Sequence, residues 1–306
     1  MDIKESLAYL SDIKLGKQLK KFHYIGFGSF GKVYKATDET DGSIYIFKVY
    51  RVENLAQKEE KSLIALSKNK SVKIPKVYFI HKKNEKAPFD CLCMEYIKGK
   101  NALMCAGLLL SGKETKRRFA DEVTDGLLAI HSIKSKNGKF GYADQPVFNS
   151  WLEFYKPFAQ DIFEKAFFAN QNKCFDSYIL DVMKTAWEKF DFIFDEDVYE
   201  PCLIHGDINI ANIMVDKDYH LAGFIDPLHS MYADREYDIF QFQNLTGHCF
   251  KLYEIYKEKY QVSEKCDIKC AFYGLWNEAM VYLETGRYTR FIMKAAIKRM
   301  KKELNM

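Results

Sequence analysis

Three polar residues stand at the ends of short apolar runs in the second half of the chain. Asp207 follows the run 202–204, Asn212 comes five residues later, and Asp226 ends the run 221–225. If the apolar runs form strands that pair through the intervening turn, the three side chains meet at one edge. Such a set suits phosphoryl transfer, in which one carboxylate accepts the proton of an attacking hydroxyl while an amide and a second carboxylate hold Mg²⁺ against the phosphates.

A glycine-rich stretch near the start of the chain, GFGSFGKVYKA at 26–36, fits three phosphate-binding patterns. It matches the G-x-G-x-x-G of a dinucleotide site, the G-x-x-x-x-G-K of a P-loop and the glycine loop of a kinase. A P-loop needs Ser or Thr where this chain has Val33, and a dinucleotide loop must open a helix. The residues that follow are rich in Val, Tyr and Ile and are broken by Asp41-Gly42, which predicts two antiparallel strands instead. This arrangement favours the kinase-type loop, whose lysine partner would be Lys48 on the third strand.

The first third of the chain predicts a small lobe rich in strands. Residues 22–51 have the composition of three strands, 57–68 that of a helix packed on a sheet, and 73–83 and 90–97 those of two further strands. We therefore expect a five-stranded antiparallel sheet with one helix after its third strand.

The rest of the chain changes to a helical period. Ser111 and Glu114 have the spacing of a capping box and predict the start of a helix. Further helices are expected near 149–169, 175–192 and 236–303, and short strands within 202–226. Strands first and helices second indicate an α+β protein with two segregated lobes. The predicted lobes are an N-terminal nucleotide-binding lobe, 1–96, and a mostly helical catalytic and substrate lobe, 97–306.

Composition and charge are those of an ordinary globular protein. The 306 residues are 48% apolar and 29% charged, and the net charge of +4 gives no indication of a nucleic-acid partner. The eight cysteines lack the spacing of a zinc site. Residues 1–10 carry acids where a signal peptide would be basic, and the longest apolar run, 102–110, is roughly half as long as a membrane span. We expect a cytoplasmic protein with no nucleic-acid or membrane partner.

The chain resembles the aminoglycoside phosphotransferase and choline kinase family in four features, which occur in the family's order over most of the chain. They are the glycine loop, the strand lysine, the H-G-D-x-x-x-x-N motif and the later I-D. The resemblance implies a bilobal protein-kinase-like fold and an enzyme that uses Mg²⁺ with ATP or GTP as phosphate donor. The nucleotide would be contacted by the glycine loop, by a lysine–glutamate pair and by the hinge between the lobes. The implied residues are Gly26, Gly28, Ser29, Gly31 and Val33 in the loop, Lys48 and Glu60 in the pair, and Glu95 and Ile97 in the hinge.

The partner of the strand lysine has two neighbouring candidates. Glu60 is preferred to Glu59 because family members place apolar residues three and four positions after the glutamate, here Leu63 and Ile64.

The resemblance also implies roles for the three polar residues of the second half. Asp207 would be the catalytic base, and Asn212 and Asp226 would bind Mg²⁺. His205, the first residue of the motif, would pack and orient the loop without transferring a proton.

The acceptor is expected to be a hydroxyl group of a small polar molecule. H-G-D stands where most protein kinases have H-R-D, Pro227 follows the second aspartate, and no A-P-E motif comes after it. The glycine loop itself is closer to those of protein kinases. A protein serine/threonine kinase and a non-catalytic pseudokinase scaffold therefore remain alternatives.

The stretch 223–239 leaves two acceptor classes open. It contains G-F-I-D, then A-D-R and a later D-I, at the spacing found in aminoglycoside 3′-phosphotransferases. An aminoglycoside is therefore the first acceptor that we expect. Pro227 and Glu236 instead resemble ketosamine (fructosamine) kinases, and a kinase of another sugar or metabolite is a further alternative. In either case we expect the later aspartate to tie the catalytic loop by hydrogen bonds and an arginine pair. The expected scaffold residues are Asp234, Arg235 and Asp238.

Two charged segments could bear on that choice. The acidic run 191–200, with Asp144, Glu153 and Asp161 upstream, could bind a polycationic antibiotic, although such runs are usually solvated surface. A basic stripe on the last helix, formed by Arg290, Lys294, Lys298 and Lys302, is expected to be an exposed helix face because no aromatic platform accompanies it.

Overall fold

The first lobe of the protein is a sheet with helices on it. The computed structural model describes residues 2–28, 30–169, 175–227, 229–286 and 289–306. The elements of the first lobe are α1 (Ile3–Leu15), β1 (Phe22–Phe27), β2 (Gly31–Thr37), β3 (Ile44–Tyr50), α2 (Leu55–Leu66), β4 (Val77–His81) and β5 (Cys91–Glu95).

Helix α1 is an addition to the expected lobe, which was predicted to contain one helix. A capping box starts it: the Asp2 side chain accepts a hydrogen bond from the Ile3 backbone N–H at 2.7 Å, and the Glu5 side chain accepts one from the Asp2 N–H at 3.0 Å. Gly16 ends the helix with φ of +64°, in the left-handed region that glycine adopts without strain.

The five strands form one antiparallel sheet, as expected, and their order in it is β1-β2-β3-β5-β4. β3 lies at its centre and sends alternate side chains to opposite faces. Phe47 and Val49 pack with the residues of α1 in one apolar cluster. Ile46 and Tyr50 belong to the larger core that contains α2 and continues into the second lobe. Lys48 shares the face of Ile46 and Tyr50, so the alternation of the strand directs it toward the cleft between the lobes.

The second lobe is mostly helical, as predicted. Its elements are β6 (Lys100–Asn101), α3 (Ala106–Leu109), α4 (Lys113–His131), β7 (Gly141–Tyr142), α5 (Trp151–Ala169), α6 (Ser177–Glu188), α7 (Phe190–Ile193), β8 (Cys202–Leu203), β9 (Ile213–Val215), β10 (Leu221–Phe224), β11 (Met231–Ala233), α8 (Glu236–Ile239), α9 (Leu252–Lys259), α10 (Cys266–Thr285) and α11 (Arg290–Leu304).

The capping box predicted at the start of α4 is wrong. Gly112 is the N-cap residue and makes no side-chain capping bond. The Ser111 hydroxyl donates instead to the carbonyl oxygen of Leu108 at 2.7 Å, because the short helix α3 ends beside it.

Aromatic side chains from α5 and α10 form much of the core of the second lobe. Trp151 stacks on Tyr155 with ring centroids 5.1 Å apart, and Phe272 stacks on Trp276 at 3.7 Å. All four are buried, and truncating either tryptophan to alanine should cost about 3–5 kcal/mol of folding free energy. In the described part of the chain, no helix is both long and apolar enough to cross a membrane.

The chain passes between the lobes directly after β5. Beyond the connection, β6 pairs with β9, and β9 pairs with β10. At Gly99, φ is +155° and a Cβ atom would meet the Val215 carbonyl oxygen at 2.3 Å, so glycine permits the close approach of the connection to β9. The boundary placed between residues 96 and 97 stays a prediction.

Candidate active site

A buried ion pair stands on the first-lobe side of the cleft. The Lys48 Nζ lies 2.6 Å from Glu59 Oε2 and also contacts Asp226 Oδ1, which belongs to the second lobe. Burial opposes the positive charge of Lys48, but the two carboxylates outweigh it and raise the pKa of the lysine above its ordinary value. Lys48 is therefore charged and links the two walls of the cleft.

The predicted partner of this lysine, Glu60, is wrong, and its neighbour Glu59 takes the position. Glu59 is fully buried, whereas Glu60 is partly exposed. Successive residues of an α-helix are about 100° apart, so a shift of one residue turns the side chain away from β3. The apolar pair used to choose between the glutamates does not share a face either: Leu63 is buried and Ile64 is 55% exposed.

The catalytic loop lies on the opposite wall, between β8 and β9. The Asn209 side-chain amide donates to Asp207 Oδ1 at 2.7 Å, and that of Asn212 donates to Asp207 Oδ2 at 3.0 Å and to the Asp207 carbonyl oxygen at 2.7 Å. Burial, followed by the negative charge of Asp226, raises the pKa of Asp207 to about 7. A carboxylate with a pKa near 7 can accept a proton at neutral pH.

Asp238 from α8 anchors this loop. Its carboxylate accepts hydrogen bonds from the backbone N–H groups of His205 and Gly206, each at 2.7 Å. His131, the last residue of α4, lies with Nε2 3.0 Å from Asp238 Oδ2 and Nδ1 2.7 Å from the hydroxyl of Tyr256. Because a carboxylate can only accept, Nε2 carries the hydrogen and Nδ1 accepts from the tyrosine. Asp238 thus ties the loop to two helices, as its expected scaffold role requires.

The other two expected scaffold residues have different contacts from those predicted. Asp234 pairs with Lys269 at 2.7 Å and accepts from the Tyr273 hydroxyl at 3.0 Å. Arg235 lies over the ring of Tyr260, 3.7 Å from its centroid. The arginine pair expected for Asp238 is wrong: among the described residues, His131 and two backbone N–H groups bind its carboxylate instead.

The structure explains why the H-G-D motif has a glycine at its centre and a histidine at its start. Gly206 has φ of +85°, and a Cβ atom there would meet the His229 carbonyl oxygen at 2.5 Å, so no other residue fits without a backbone shift. His205 is fully buried, and burial lowers its pKa to about 4. A neutral imidazole that accepts from the Asp207 N–H at 3.3 Å fits the predicted packing role.

Asn212 and Asp226 lie close together, as their spacing predicted. β9 and β10 pair antiparallel, and the Ile225 N–H donates to the Asn212 carbonyl oxygen at 2.9 Å. The amide nitrogen of Asn212 is committed to Asp207, so its oxygen is the atom that would serve as a ligand. Asp226 has φ of +59°, an uncommon value for a residue other than glycine. One amide oxygen and one carboxylate are hard ligands of the kind that Mg²⁺ prefers, so the two residues fit this ion.

An apolar cavity of about 150 Å³ lies between the sheet and β9. Its walls come from both lobes and from the hinge: Ile25, Val33, Ile46, Met94, Glu95, Tyr96, Ile97, Met214 and Ile225, with Lys48, Glu59 and Asp226 at its inner end. Val33, Glu95 and Ile97 were all expected at the nucleotide. The cavity leads to the ion pair, as a site for a flat base joined to phosphates would.

The glycine loop closes one side of this cavity. The Gly28 N–H donates to the Gly31 carbonyl oxygen at 3.0 Å, which forms the bend between β1 and β2. A Cβ atom at Gly31 would meet the Val49 carbonyl oxygen at 2.3 Å, whereas one at Gly26 or Gly28 would have no neighbour within 4 Å. Gly31 is thus required for packing, and Gly26 and Gly28 leave the backbone open to a ligand. Ser29, also predicted here, lies outside the described residues.

A second cavity, of about 90 Å³, lies between α2, α5 and α10. Aromatic side chains and methionines form most of its wall, with Lys58, His229 and Glu284 among them: Tyr142, Phe154, Tyr155, Phe158, Met231, Tyr237 and Met280. His229 lines this cavity, and its carbonyl oxygen lies against Gly206, which places the cavity near the catalytic loop. We call it the aromatic cavity.

Glu278 on α10 is a further buried carboxylate near Asp207. It is 7% exposed, and burial together with the charge of Asp207 raises its pKa to about 7. The sequence analysis missed Glu278 and the aromatic cavity because no motif marks them. A glutamate within the mostly apolar stretch of α10 was the available signal, since acids are rarely buried without a function or a partner.

The charged segments considered for acceptor binding lie elsewhere. Five of these acids form ion pairs with lysines: Asp191 with Lys156, Asp195 with Lys265, Glu200 with Lys134, Asp144 with Lys61, and Asp161 with Lys165. The basic stripe on α11 is exposed, opposite the buried Met293, Ile297 and Met300. Both segments are therefore surface.

Three comparisons place the chain among known proteins. It matches the family described as "Phosphotransferase enzyme family" over residues 26–261. It is 32% identical over 71 residues to the uncharacterized protein YcbJ of Bacillus subtilis (strain 168), a match that covers 22% of this chain and 23% of that protein. The chain therefore matches less than a quarter of that relative's length.

Solved structures share the fold at low identity. A fructosamine-3-kinase candidate from Haemophilus somnus 129PT is 16% identical, with 97% of this chain and 96% of that chain covered and a TM-score of 0.67. A thermostable variant of the aminoglycoside phosphotransferase APH(4)-Ia, in a ternary complex with ADP and hygromycin B, is 14% identical, with 98% of each chain covered and a TM-score of 0.70. The predicted kinase-like bilobal fold is confirmed. Because the family match covers most of the chain, this protein belongs to the phosphotransferase enzyme family.

Proposed function

We propose that this protein transfers the γ-phosphate of ATP or GTP to a hydroxyl group of a small, amine-bearing molecule in the presence of Mg²⁺. One observation carries the proposal: Lys48, paired with Glu59 on the first lobe, contacts Asp226 on the second, beside Asp207 and Asn212. Phosphoryl transfer needs this combination of a phosphate-binding cation, metal ligands and a base.

Each residue of the cleft has a distinct role in this reaction. Lys48, oriented by Glu59, binds the α- and β-phosphates. Asn212 and Asp226 hold Mg²⁺, which would offset the negative charge that develops on the transferred group. Asp207 orients the acceptor hydroxyl and accepts its proton, and its pKa of about 7 suits that transfer.

The apolar cavity of about 150 Å³ is the proposed site of the nucleotide base. Val33, Ile46 and Met214 would pack against the two faces of the ring. Backbone groups of Glu95 and Ile97 would pair with its polar edge. Since adenine and guanine can both use backbone groups in this way, the proposal covers ATP and GTP.

The acceptor is proposed to carry both hydroxyl and amino groups. Burial, and to a lesser extent the negative charge of Asp207, raises the pKa of Glu278, and a cationic group of the acceptor beside this carboxylate would offset that cost. Glu284 adds a third carboxylate at the wall of the aromatic cavity. An aminoglycoside is the first candidate, and a ketosamine is the second because Pro227 and Glu236 resemble that branch.

A protein acceptor is disfavoured by the segment after Asp226. Only residues 227–235 separate Asp226 from α8, and within them β11 pairs with β7 and β8. The segment is thus committed to a small sheet and offers no long loop for a peptide. A non-catalytic scaffold is disfavoured because Lys48, Glu59, Asp207, Asn212 and Asp226 can all perform their roles.

The experiment that tests the proposal measures ATP consumption with Mg²⁺ against a panel of aminoglycosides, ketosamines, choline and methylthioribose. The blank is Asp207→Asn, which keeps the shape of the side chain and removes the base. An acceptor-dependent signal that the blank lacks supports the proposal and names the acceptor. No signal with any acceptor, together with no thermal stabilisation by Mg-ATP, contradicts it, because a nucleotide at 100 times its Kd should add about 2.7 kcal/mol of stability.

A further inference from the structure

We propose that Tyr50 is a positioning residue for nucleotide binding: its hydroxyl holds the Glu59 carboxylate in the orientation that binds Lys48. The Tyr50 hydroxyl donates to Glu59 Oε2 at 2.6 Å, the same oxygen that lies 2.6 Å from Lys48 Nζ. The inference rests on the proposed function, because it assigns a purpose to the lysine–glutamate pair. Neither the motifs nor the family match points to this residue.

The strand explains why Tyr50 reaches the pair. Lys48 and Tyr50 are two residues apart on β3, so their side chains leave the same face of the sheet. Tyr50 is 4% exposed, and Lys48 Nζ lies 5.4 Å from the centroid of its ring. The tyrosine therefore contacts both members of the pair, the glutamate through its hydroxyl and the lysine through its ring.

The backbone around Tyr50 is held as well. The Tyr50 N–H donates to the Asp90 carbonyl oxygen at 2.9 Å, and the Asp90 carboxylate accepts from the Asn54 N–H, also at 2.9 Å. Asn54 is the N-cap residue of α2, the helix that carries Glu59. Asp90 thus fixes the end of β3 against the start of α2, which leaves the Glu59 side chain as the adjustable part of the pair.

Glu59 needs a second partner because Lys48 is shared. Lys48 contacts Asp226 as well as Glu59, and in the proposed reaction it must also contact phosphate oxygens. Among the described residues, Glu59 Oε1 has no hydrogen-bond partner, so Oε2 carries both of the contacts that orient the carboxylate. Burial raises the pKa of Tyr50 well above its ordinary value, which keeps its hydroxyl protonated as a donor.

The test is isothermal titration of Mg-ADP into the wild-type chain and the Tyr50→Phe variant. Phenylalanine keeps the ring and removes only the hydroxyl that binds Glu59. The expected result is a Kd about tenfold higher, since a hydrogen bond to a charged group is lost. Tyr45→Phe is the matched control: it removes the hydroxyl of a buried tyrosine on the same strand, on the side of the sheet that packs toward α1, and should leave the Kd unchanged.

A double-mutant cycle separates positioning from a general structural effect. If Tyr50 acts through Glu59, adding Tyr50→Phe to a Glu59→Gln background should change the Kd by less than about twofold. Glu59→Ala serves as the background if the glutamine variant does not fold. An unchanged Kd in Tyr50→Phe, or a full tenfold effect in the background, overturns the inference while the proposed function stands. A wild-type chain that binds no Mg-ADP overturns both.

Discussion

The two halves of the cleft are built on different principles. On the nucleotide side, opposite charges are in contact: Lys48 lies between Glu59 and Asp226. On the acceptor side, burial and the negative charge of Asp207 raise the pKa of Glu278, which forms no ion pair within the described part of the chain. Aromatic rings form most of the wall of the aromatic cavity. The first half is therefore electrostatically satisfied before a ligand binds, whereas the second would gain from a cationic ligand.

This difference predicts which half of the cleft carries the chemistry and which half selects the acceptor. A pre-formed ion pair holds its geometry and can receive the same phosphates in every turnover. Two carboxylates with raised pKa values favour whichever acceptor brings a positive charge to them. Chemistry is expected to depend on the first half and acceptor choice on the second, and each of the following predictions tests that division.

The largest effect is expected from Asp207→Asn, at the boundary of the two halves. Loss of the base should lower turnover by ~10²–10⁴-fold, while Mg-ADP affinity stays within the wild-type range. Steady-state kinetics and titration calorimetry on one preparation measure both quantities. Unchanged turnover would remove Asp207 from the role of base.

Asp226→Ala should act mainly on the nucleotide half. Loss of this carboxylate should weaken nucleotide binding by about 10–100-fold, and only when Mg²⁺ is present. The measurement is the Kd of ADP with Mg²⁺ and with EDTA. If the variant keeps the wild-type difference between the two conditions, Asp226 is not a metal ligand.

A matched pair of variants tests the corrected glutamate. Glu59→Gln should raise the Kd of Mg-ADP about tenfold because the buried lysine loses a charged partner. Glu60→Gln, one position along the same helix, should bind as the wild type does. If Glu60→Gln raises the Kd and Glu59→Gln does not, Glu60 is the partner of Lys48, as the sequence analysis predicted.

Glu278→Gln should act on the acceptor half alone. Its charge is expected to contribute about fivefold to the affinity of an amine-bearing acceptor, seen as a higher KM at an unchanged Mg-ADP Kd. Glu303→Gln on α11 is the control, since that residue pairs with a neighbouring lysine at the surface. An altered nucleotide affinity in Glu278→Gln would mean that the two halves are not separate.

The smallest effect is a pH-dependent stability. The folded-state pKa of Asp207 is raised to about 7, so its ionisation opposes folding as the pH rises from about 4 through 7. Asp207→Asn should therefore have a higher Tm than the wild type at pH 8, by a few degrees, and the difference should disappear toward pH 4. Thermal unfolding without Mg²⁺ at several pH values measures it, and a pH-independent difference would contradict the raised pKa.

Much of the nucleotide half could be predicted from the sequence because its residues lie in short motifs. Asp207, Asn212 and Asp226 are separated by one loop and one strand pair, and Lys48 follows the glycine loop by one hairpin. Pairing between strands that are neighbours in the sequence is enough to bring each of these side chains to the cleft. The choice between Glu59 and Glu60 failed because it depends on the rotation of α2 about its axis, which the apolar pair after it does not set.

Helix α1 was missed although its signal was present. Asp2 and Glu5 have capping-box spacing, and Leu7 and Leu10 are buried on one face. At the second helix considered, Ser111 and Glu114 have the same spacing and form no cap. The two pairs have the same spacing, so the difference lies in the chain around them. Helix α3 ends beside Ser111, and the Leu108 carbonyl oxygen in it accepts the serine hydroxyl.

The sequence by itself determined most of the order of elements, the phosphate-binding motifs and the family, because each depends on residues close together in the chain. Tertiary structure alone decided the acceptor half. Tyr142, Phe154, Tyr237 and Glu284 come from four elements spread over more than a hundred residues, and nothing in their spacing relates them. Their proximity follows from how α5 and α10 pack, and packing is set by the shapes of whole helix faces.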